Sequence, residues 1–318
     1  MGSAPAAYAA AFAQKWPKCS HMPTIAPGAR AGFDKRGNMY YYGHSRAHSP
    51  AAAAAAKGAI LMQAIILAAG YATRLGERAQ GRAKALMPIG EKPIINFIVD
   101  DLARIEGLST VHVISNHKFI GQFEEWRARA VLKPEYAHID IRVWDDGTVS
   151  NEDRLGAIGD MQFTIDKAGI DDDLFVAAGD NFFTFHLGEL VDAFRHSGKD
   201  VICATHFEDR ELLHRFAVAE VDADGTVLSM EEKPACPRSD LGVYALYVYR
   251  RDTVPLIRRY LELGYPNDAP GHFPSWLCSR DNPLRRPVHA YLFKGECVDI
   301  GTPESYDDAV RRFGVKGF

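Results

Sequence analysis

No two of the five cysteines in this 318-residue chain are spaced as Cys-x-x-Cys. Cys19, Cys203, Cys236, Cys278 and Cys297 are scattered and odd in number. That argues against a disulfide framework or a zinc site and fits a reducing, cytoplasmic setting best. Cys203 and Cys297 stand in apolar, strand-like runs and read as core filler. No apolar run approaches the length that spans a bilayer, so no membrane partner is expected. Net charge is small, a formal −4 at pH 7. A global basic face is therefore missing, no nucleic acid partner is expected, and any anion must be held by local charge. The chain has no evident internal repeat. It also lacks a basic start leading into an apolar core, so it does not read as a secretory signal.

What is present suffices for a large single core or two smaller ones, since 47% of the residues are hydrophobic. Residues 1–61 differ from the rest. They are rich in Ala, Pro, Gly and His, and contain Tyr40-Tyr-Tyr42 and an alanine run from Ala51 to Ala56. No sustained apolar period precedes the alanines, so this N-terminal extension is expected to be mostly irregular. A tail, a small accessory element and translation assigned from too far upstream are all open readings of it.

From Met62 to the end the pattern alternates strand and helix. Strands are predicted over Ala64–Leu67, Val111–Ser115, Ile139–Trp144, Leu174–Ala178 and Val201–Thr205, and helices over Pro93–Ile105, His117–Ala130 and Leu187–His196. Parallel strands separated by helices imply an α/β fold with an open, doubly wound sheet. Such sheets bind ligands at the carboxyl ends of their strands. The second half changes character. Phe216–Val221, a turn at Asp222–Gly225 and Val227–Glu232 read as a hairpin. Strands follow over Val243–Tyr249, Val288–Phe293 and Glu296–Ile300, the last two closing the sheet. Helices are predicted over Thr253–Leu263 and Thr302–Phe313, with Thr302 as N-cap.

The most telling stretch begins at Met62. An apolar run ends abruptly in Leu67-Ala68-Ala69-Gly70-Tyr71-Ala72-Thr73-Arg74, and Lys84 follows ten residues later. Small residues let backbone approach a polyphosphate closely, with free N–H groups aimed at the anion. Arg74 and Lys84 add charge. Further on, Asp180 follows an apolar strand in Gly179-Asp180-Asn181, Glu231-Glu232-Lys233-Pro234 follows the hairpin, and Asp299 lies in Val298-Asp-Ile-Gly-Thr302.

These strings, in this order, resemble the sugar-1-phosphate nucleotidyltransferases across nearly all of residues 62–318. The resemblance implies a Rossmann-like, mostly parallel sheet of the nucleotide-diphospho-sugar transferase type with a sugar-binding hairpin. It implies an NTP and a sugar 1-phosphate as substrates. Leu67 to Thr73 and Gly156 would hold the nucleotide, with Arg74, Lys84 and Asp180 catalytic. Ala217, Glu232 and Lys233 would hold the sugar phosphate. Asp180 and Asp299 would bind a metal, and two hard oxygen ligands suit Mg²⁺. Lys92 reads instead as a residue at a helix start. Members of that family commonly assemble, so a homo-oligomer is open to this chain.

The departures from the family pattern are alanines. Ala72, Ala217 and Ala245 stand where glycine is usual, Cys297 stands for a tryptophan, and no glutamine that reads a pyrimidine is identifiable before Gly156. Thymidylyl transfer to glucose 1-phosphate is the first expectation. Guanylyl transfer to a mannose or heptose 1-phosphate, cytidylyl transfer to a non-sugar phosphate, and a silent regulatory relative are the alternatives. Since the motif-bearing pattern begins at Met62, a chain starting there is expected to fold and to keep full turnover. A folded protein without turnover would show that residues 1–61 take part.

Overall fold

The computed structural model describes residues 30–33, 39–42 and 61–314. Two compact units divide the chain, Met1–Ser49 and Pro50–Phe318. In the first, β1 (Arg30–Phe33) pairs antiparallel with β2 (Met39–Tyr42), Arg30 opposite Tyr42. The extension expected to be irregular thus contains a strand pair, and the tyrosine run lies in it. The alanine run falls outside the described residues.

The second unit is built on β3 (Met62–Leu67), whose residues alternate between two cores. Ala64 and Ile66 face one side and Ile65 the other. That is the two-residue period of a strand buried on both faces. Two minimal strands follow, β4 (Pro88–Ile89) and β5 (Lys92–Pro93), paired with each other. Then come α1 (Ile94–Leu102), β6 (Leu108–Ser115), α2 (Ile120–Ala130), β7 (Asp140–Asp145), α3 (Ala157–Ala168), β8 (Asp173–Ala178) and β9 (Asn181–Phe183). The remainder is α4 (Leu187–Ser197), β10 (Asp200–His206), β11 (Ala217–Val221), β12 (Val227–Glu232), β13 (Leu241–Tyr249), α5 (Pro255–Glu262), α6 (His272–Cys278), β14 (Val288–Leu292), β15 (Cys297–Asp299) and α7 (Pro303–Phe313).

Strands β7, β6, β3 and β8 run parallel to one another, β3 lying between β6 and β8. Side chains of α1, α2 and α4 pack on one face of the sheet, those of α3, α5 and α6 on the other. This is the expected doubly wound α/β arrangement, with β3 at the point where strand order reverses.

The second half departs from a simple parallel sheet. β13 is antiparallel to β8, and β10 pairs antiparallel with β13 and parallel with β14. The strand read as fifth in a parallel series is therefore separated from β8 by β13. One edge of β13 is shared, Leu241–Val243 pairing with β11 and Leu246–Tyr249 with β8. Tyr244 and Ala245 fall between the two ladders, and the sheet forks there.

The expected closing strand at Glu296–Ile300 leaves the main sheet altogether. As β15 it pairs antiparallel with β9, Asp299 opposite Asn181. A third core holds this small ladder in place. Phe182 packs against Phe97 and Phe313 at ring distances of 5.0 and 4.6 Å, beside Leu75, Ile300 and Ala309. Helix α7 starts as predicted, Thr302 accepting from Ser305 N at 3.3 Å while Ser305 Oγ accepts from Thr302 N at 3.1 Å. Helices α3 and α6 are additions to the predicted set.

Phe182 links the central strands to the C-terminal helix. Phe182→Ala is expected to cost about 3–5 kcal/mol, the usual loss for a fully buried ring. Urea unfolding would read it, and a loss below about 1 kcal/mol would show that the ladder is not anchored there.

Candidate active site

One cleft of about 540 Å³ opens at the fork of the sheet and the carboxyl end of β3. Leu67, Ala69, Gly70, Arg74, Gly156 and Asp180 line it from the first half of the second unit. Ala217, Glu232, Lys233, Ala245 and Asp299 line it from the second half. The residues singled out in sequence thus converge from seven separate stretches of chain.

The loop after β3 is held open by its neighbours. Ala68 N donates to Ile114 O at 2.9 Å, Gly179 N to Leu67 O at 2.9 Å, and Asn116 Nδ2 to Ala69 O at 2.8 Å. Ala68, Tyr71, Ala72 and Thr73 are not among the lining residues. Ala68 packs against the core under α1 and α2. Tyr71 is latched through its hydroxyl to Thr148 Oγ1 at 2.9 Å. Ala72 takes φ 55°, ψ 24°, the left-handed region where a usual glycine would be unstrained.

Asp180 sits at the end of β8, one residue before β9. Its Oδ2 accepts from Lys84 Nζ at 2.6 Å, both side chains being largely buried. Lys84 thereby stands directly behind the cleft wall. Gly179 makes the turn feasible, because an added Cβ would lie 3.1 Å from Leu67 O. Asp299 is placed by the β9–β15 ladder, and Ile300 N donates to Asp180 O at 3.0 Å.

Burial and then the charge of Asp180 push the Asp299 carboxyl up to about 6, against the opposing pull of Lys84, Arg74 and Arg215. Two like charges forced together, with oxygens facing one cleft, form a donor set that a divalent cation would relieve. Among the described residues no group of three or more His, Cys, Asp or Glu is arranged as a closed metal cage. Any ion between these two would complete its shell from water and ligand oxygens.

At the other end Glu232 lies opposite Ala217 in the β11–β12 ladder. Burial raises its carboxyl, while Lys233 and His272 hold it down. Lys233 Nζ lies 3.5 Å from Glu232 Oε1. Lys233 itself has φ 48° although it precedes Pro234, a conformation that the next residue normally disfavours. Its amide is fixed by Phe216 O at 3.0 Å. The turn at Gly271 packs against Glu232 so closely that any side chain there would collide with the carboxylate.

Lys92 pairs with Asp100 and lies 4.2 Å over the Phe97 ring, as a residue at a helix start would. Gly156 has φ 76°, and an added Cβ would stand 2.5 Å from Asn267 O. Backbone crowding by Asn267 therefore requires glycine there, in addition to its place on the cleft wall. Sequence reading missed Arg215, Asp160, and the segment Asp268–Gly271. Arg215 ends the short 3-10 turn before β11, and its charge next to Phe216-Ala217-Val218 was the available signal.

A family model described as nucleotidyl transferase matches residues 63–313. The chain is 25% identical over 262 residues to a glucose-1-phosphate adenylyltransferase of Bacillus subtilis, covering 77% of this chain and 65% of the relative. It thus spans somewhat less than two thirds of that relative's length. It is also 25% identical over 253 residues to the UTP–glucose-1-phosphate uridylyltransferase AglF of Haloferax volcanii, covering 79% and 96%. The fold is similar to UTP-bound UGPase from Acinetobacter baumannii, with a TM-score of 0.64 and 17% identity over 80% of this chain and 94% of that one.

The left-handed Ala72 carries a testable cost. Ala72→Gly is expected to stabilise the protein by roughly 0.5–1 kcal/mol, the relieved strain exceeding the added chain entropy. A thermal midpoint about 1–4 °C higher would follow, and a lower midpoint would contradict it.

Proposed function

The chain belongs to the nucleotidyl transferase family, and from that premise we propose that it transfers a nucleotidyl group from an NTP to a sugar 1-phosphate. The observation that carries the reading is the meeting of Asp180 and Asp299 beside Lys84 and Arg74, in the cleft that Glu232 and Lys233 also line. Nucleotidyl transfer asks little covalent work of a protein. It asks that two anions be held together and aligned for in-line attack.

Lys233 holds the sugar's phosphate, and Glu232 accepts from sugar hydroxyls. An oxygen of that phosphate attacks the α-phosphorus of the NTP. The bond from the α-phosphorus to the bridging oxygen breaks, the electron pair leaves with pyrophosphate, and an NDP-sugar forms. Arg74, exposed on its loop and in no ion pair among the described residues, is free to clamp the departing phosphates with its planar fork. Mg²⁺ held by Asp180 and Asp299 would supply charge neutralisation across the phosphate oxygens. Lys84 keeps the Asp180 carboxylate oriented and offsets part of its charge.

A non-sugar acceptor is the weaker reading, because a buried carboxylate at the acceptor end needs hydroxyl donors to satisfy it. A silent relative that binds an NDP-sugar without turnover is weaker still, since it has no need of both Asp180 and Asp299. The expectation of thymidine finds no support in the cleft wall, where no glutamine is present among the described lining residues.

Incubation with Mg²⁺ and a matrix of NTPs and sugar phosphates should release pyrophosphate in at least one combination. Release in none would overturn the reading. Asp180→Asn is expected to lower kcat by at least about 10²–10³ while leaving the unfolding curve in place. Undiminished turnover in that variant would remove Asp180 from the mechanism. Chelation of divalent ions should abolish turnover and a return of Mg²⁺ should restore it.

A further inference from the structure

Arg74 on the loop after β3 and Lys233 at the opposite end would take the phosphates, which leaves the wall between Gly70 and α3 for the uncharged base of a nucleotide. That wall is made of Leu67, Ala69, Gly70, Gly156 and Ala157, small residues at the carboxyl end of the switch-point strand. The exposed Arg154 borders this wall, and one carboxylate interrupts it. Asp160, in the first turn of α3, lines the cleft yet is only 6% exposed.

Its surroundings are unusual. Asp160 Oδ1 and Asp146 Oδ2 are both buried and receive no hydrogen bond from any N–H or hydroxyl donor among the described residues. The two carboxyls stand within hydrogen-bond reach of each other. Two acceptors cannot satisfy one another unless a proton lies between them. Burial and then the charge of Asp146 push Asp160 up to about 8, so at neutral pH the pair holds one proton and a single negative charge.

Asp146 is the fixed member. Its Oδ1 accepts from Thr148 N at 2.7 Å and Thr148 Oγ1 at 2.8 Å. Thr148 Oγ1 then accepts from Tyr71 OH at 2.9 Å, tying the pair to the phosphate loop. The other acidic groups near are Asp145 and Asp153, and no lysine or arginine enters among the main influences on either carboxyl.

With its proton-bearing oxygen turned to Asp146, Asp160 can offer the cleft only an acceptor, and one carrying part of a negative charge. We propose that Asp160, oriented by Asp146, selects the nucleobase, and that the base selected is guanine. Guanine alone presents two adjacent donors, N1–H and N2–H, on its pairing edge. Uracil and thymine present one N–H flanked by two carbonyl oxygens, which a carboxyl oxygen repels. Adenine and cytosine set a ring acceptor beside their amino group. A buried polar group left unpaired by the wrong base is what makes such a site discriminate. This inference rests on the proposed transfer reaction for its setting, but base preference can be read without turnover.

Calorimetric titration of the full chain with GTP, ATP, CTP, UTP and dTTP is the first arm. GTP is expected to bind at least about tenfold more tightly than UTP or dTTP. The second arm compares variants by the kcat/KM for GTP over that for dTTP. Asp160→Ala should lower this ratio at least tenfold, since the acceptor is gone. Asp160→Asn should largely keep it, because its amide can donate to Asp146 and leave a carbonyl oxygen facing the cleft. Loss by one common factor for every nucleotide would reduce Asp160 to a structural role and overturn the proposal. Wild-type preference for UTP or dTTP would do the same, even if Asp160→Ala failed to fold. Base-selective binding without pyrophosphate release would defeat the transfer reaction and leave the base assignment standing.

Discussion

Two carboxylates that repel each other are held together in this protein, and the fold around them is arranged to permit it. Asp180 and Asp299 come from opposite parts of the second unit. They meet because β9 and β15 form a three-residue ladder, with Ile300 N bonded to Asp180 O. So short a ladder has little stability of its own. The buried rings of Phe182 and Phe313, with Ile300 and Leu75, supply what the ladder lacks. Lys84 offsets part of the charge through its 2.6 Å bond to Asp180. The residual repulsion is visible in Asp299, whose carboxyl is raised by burial and by Asp180. A cation between the two would convert that cost into binding energy.

The site also depends on the fork in β13. A strand that gives one edge half to β11 and half to β8 must diverge between them, and Tyr244 and Ala245 mark the divergence. In the proposed transfer, the nucleotide side of the cleft would be carried by the parallel half of the sheet, and the acceptor side by the antiparallel hairpin β11–β12. Glu232 and Lys233 leave the end of that hairpin at the fork. The two substrates are thus presented by different sheet halves joined through one strand, with the paired carboxylates between them.

Much of this was legible in sequence, and the legible parts share a property. The loop after Leu67, the Gly-Asp-Asn string and the Glu-Glu-Lys-Pro string are contiguous, and their local chemistry is set by neighbours in the chain. Asp299 was legible for the same reason, although the route by which it arrives was not. β15 was expected in the main sheet, but three residues with a charged end pair better with the equally short β9. Likewise β10 was read as the next parallel strand, since apolar runs do not reveal their direction. Arg215, Asp160 and the Asp268–Gly271 turn could not be assigned from sequence. Asp160 lies within an ordinary helical pattern, and its burial, with Asp146 brought alongside at the end of β7, gives it an unusual proton. Gly271 matters only because Glu232, far along the chain, packs against it.

The alanines that replace expected glycines acquire a physical meaning from the same comparison. A methyl at position 217 narrows the acceptor end of the cleft. The facing turn leaves room for it. An added Cβ at Gly271 would lie 3.3 Å from the Ala217 Cβ and would collide with Glu232. Glycine at 271 therefore leaves the room that alanine at 217 occupies, and the closeness of the two strands is preserved. Ala245 falls at the fork, where divergence of the neighbouring ladders leaves space for its side chain. Only Ala72 is uncompensated, and it bears its cost as backbone strain in the phosphate loop, not as lost cleft volume. The methyls at 217 and 245 are thus accommodated, one beside the facing glycine and one at the fork. A chain that bound ligand without turnover would have no reason to hold two carboxylates in mutual repulsion.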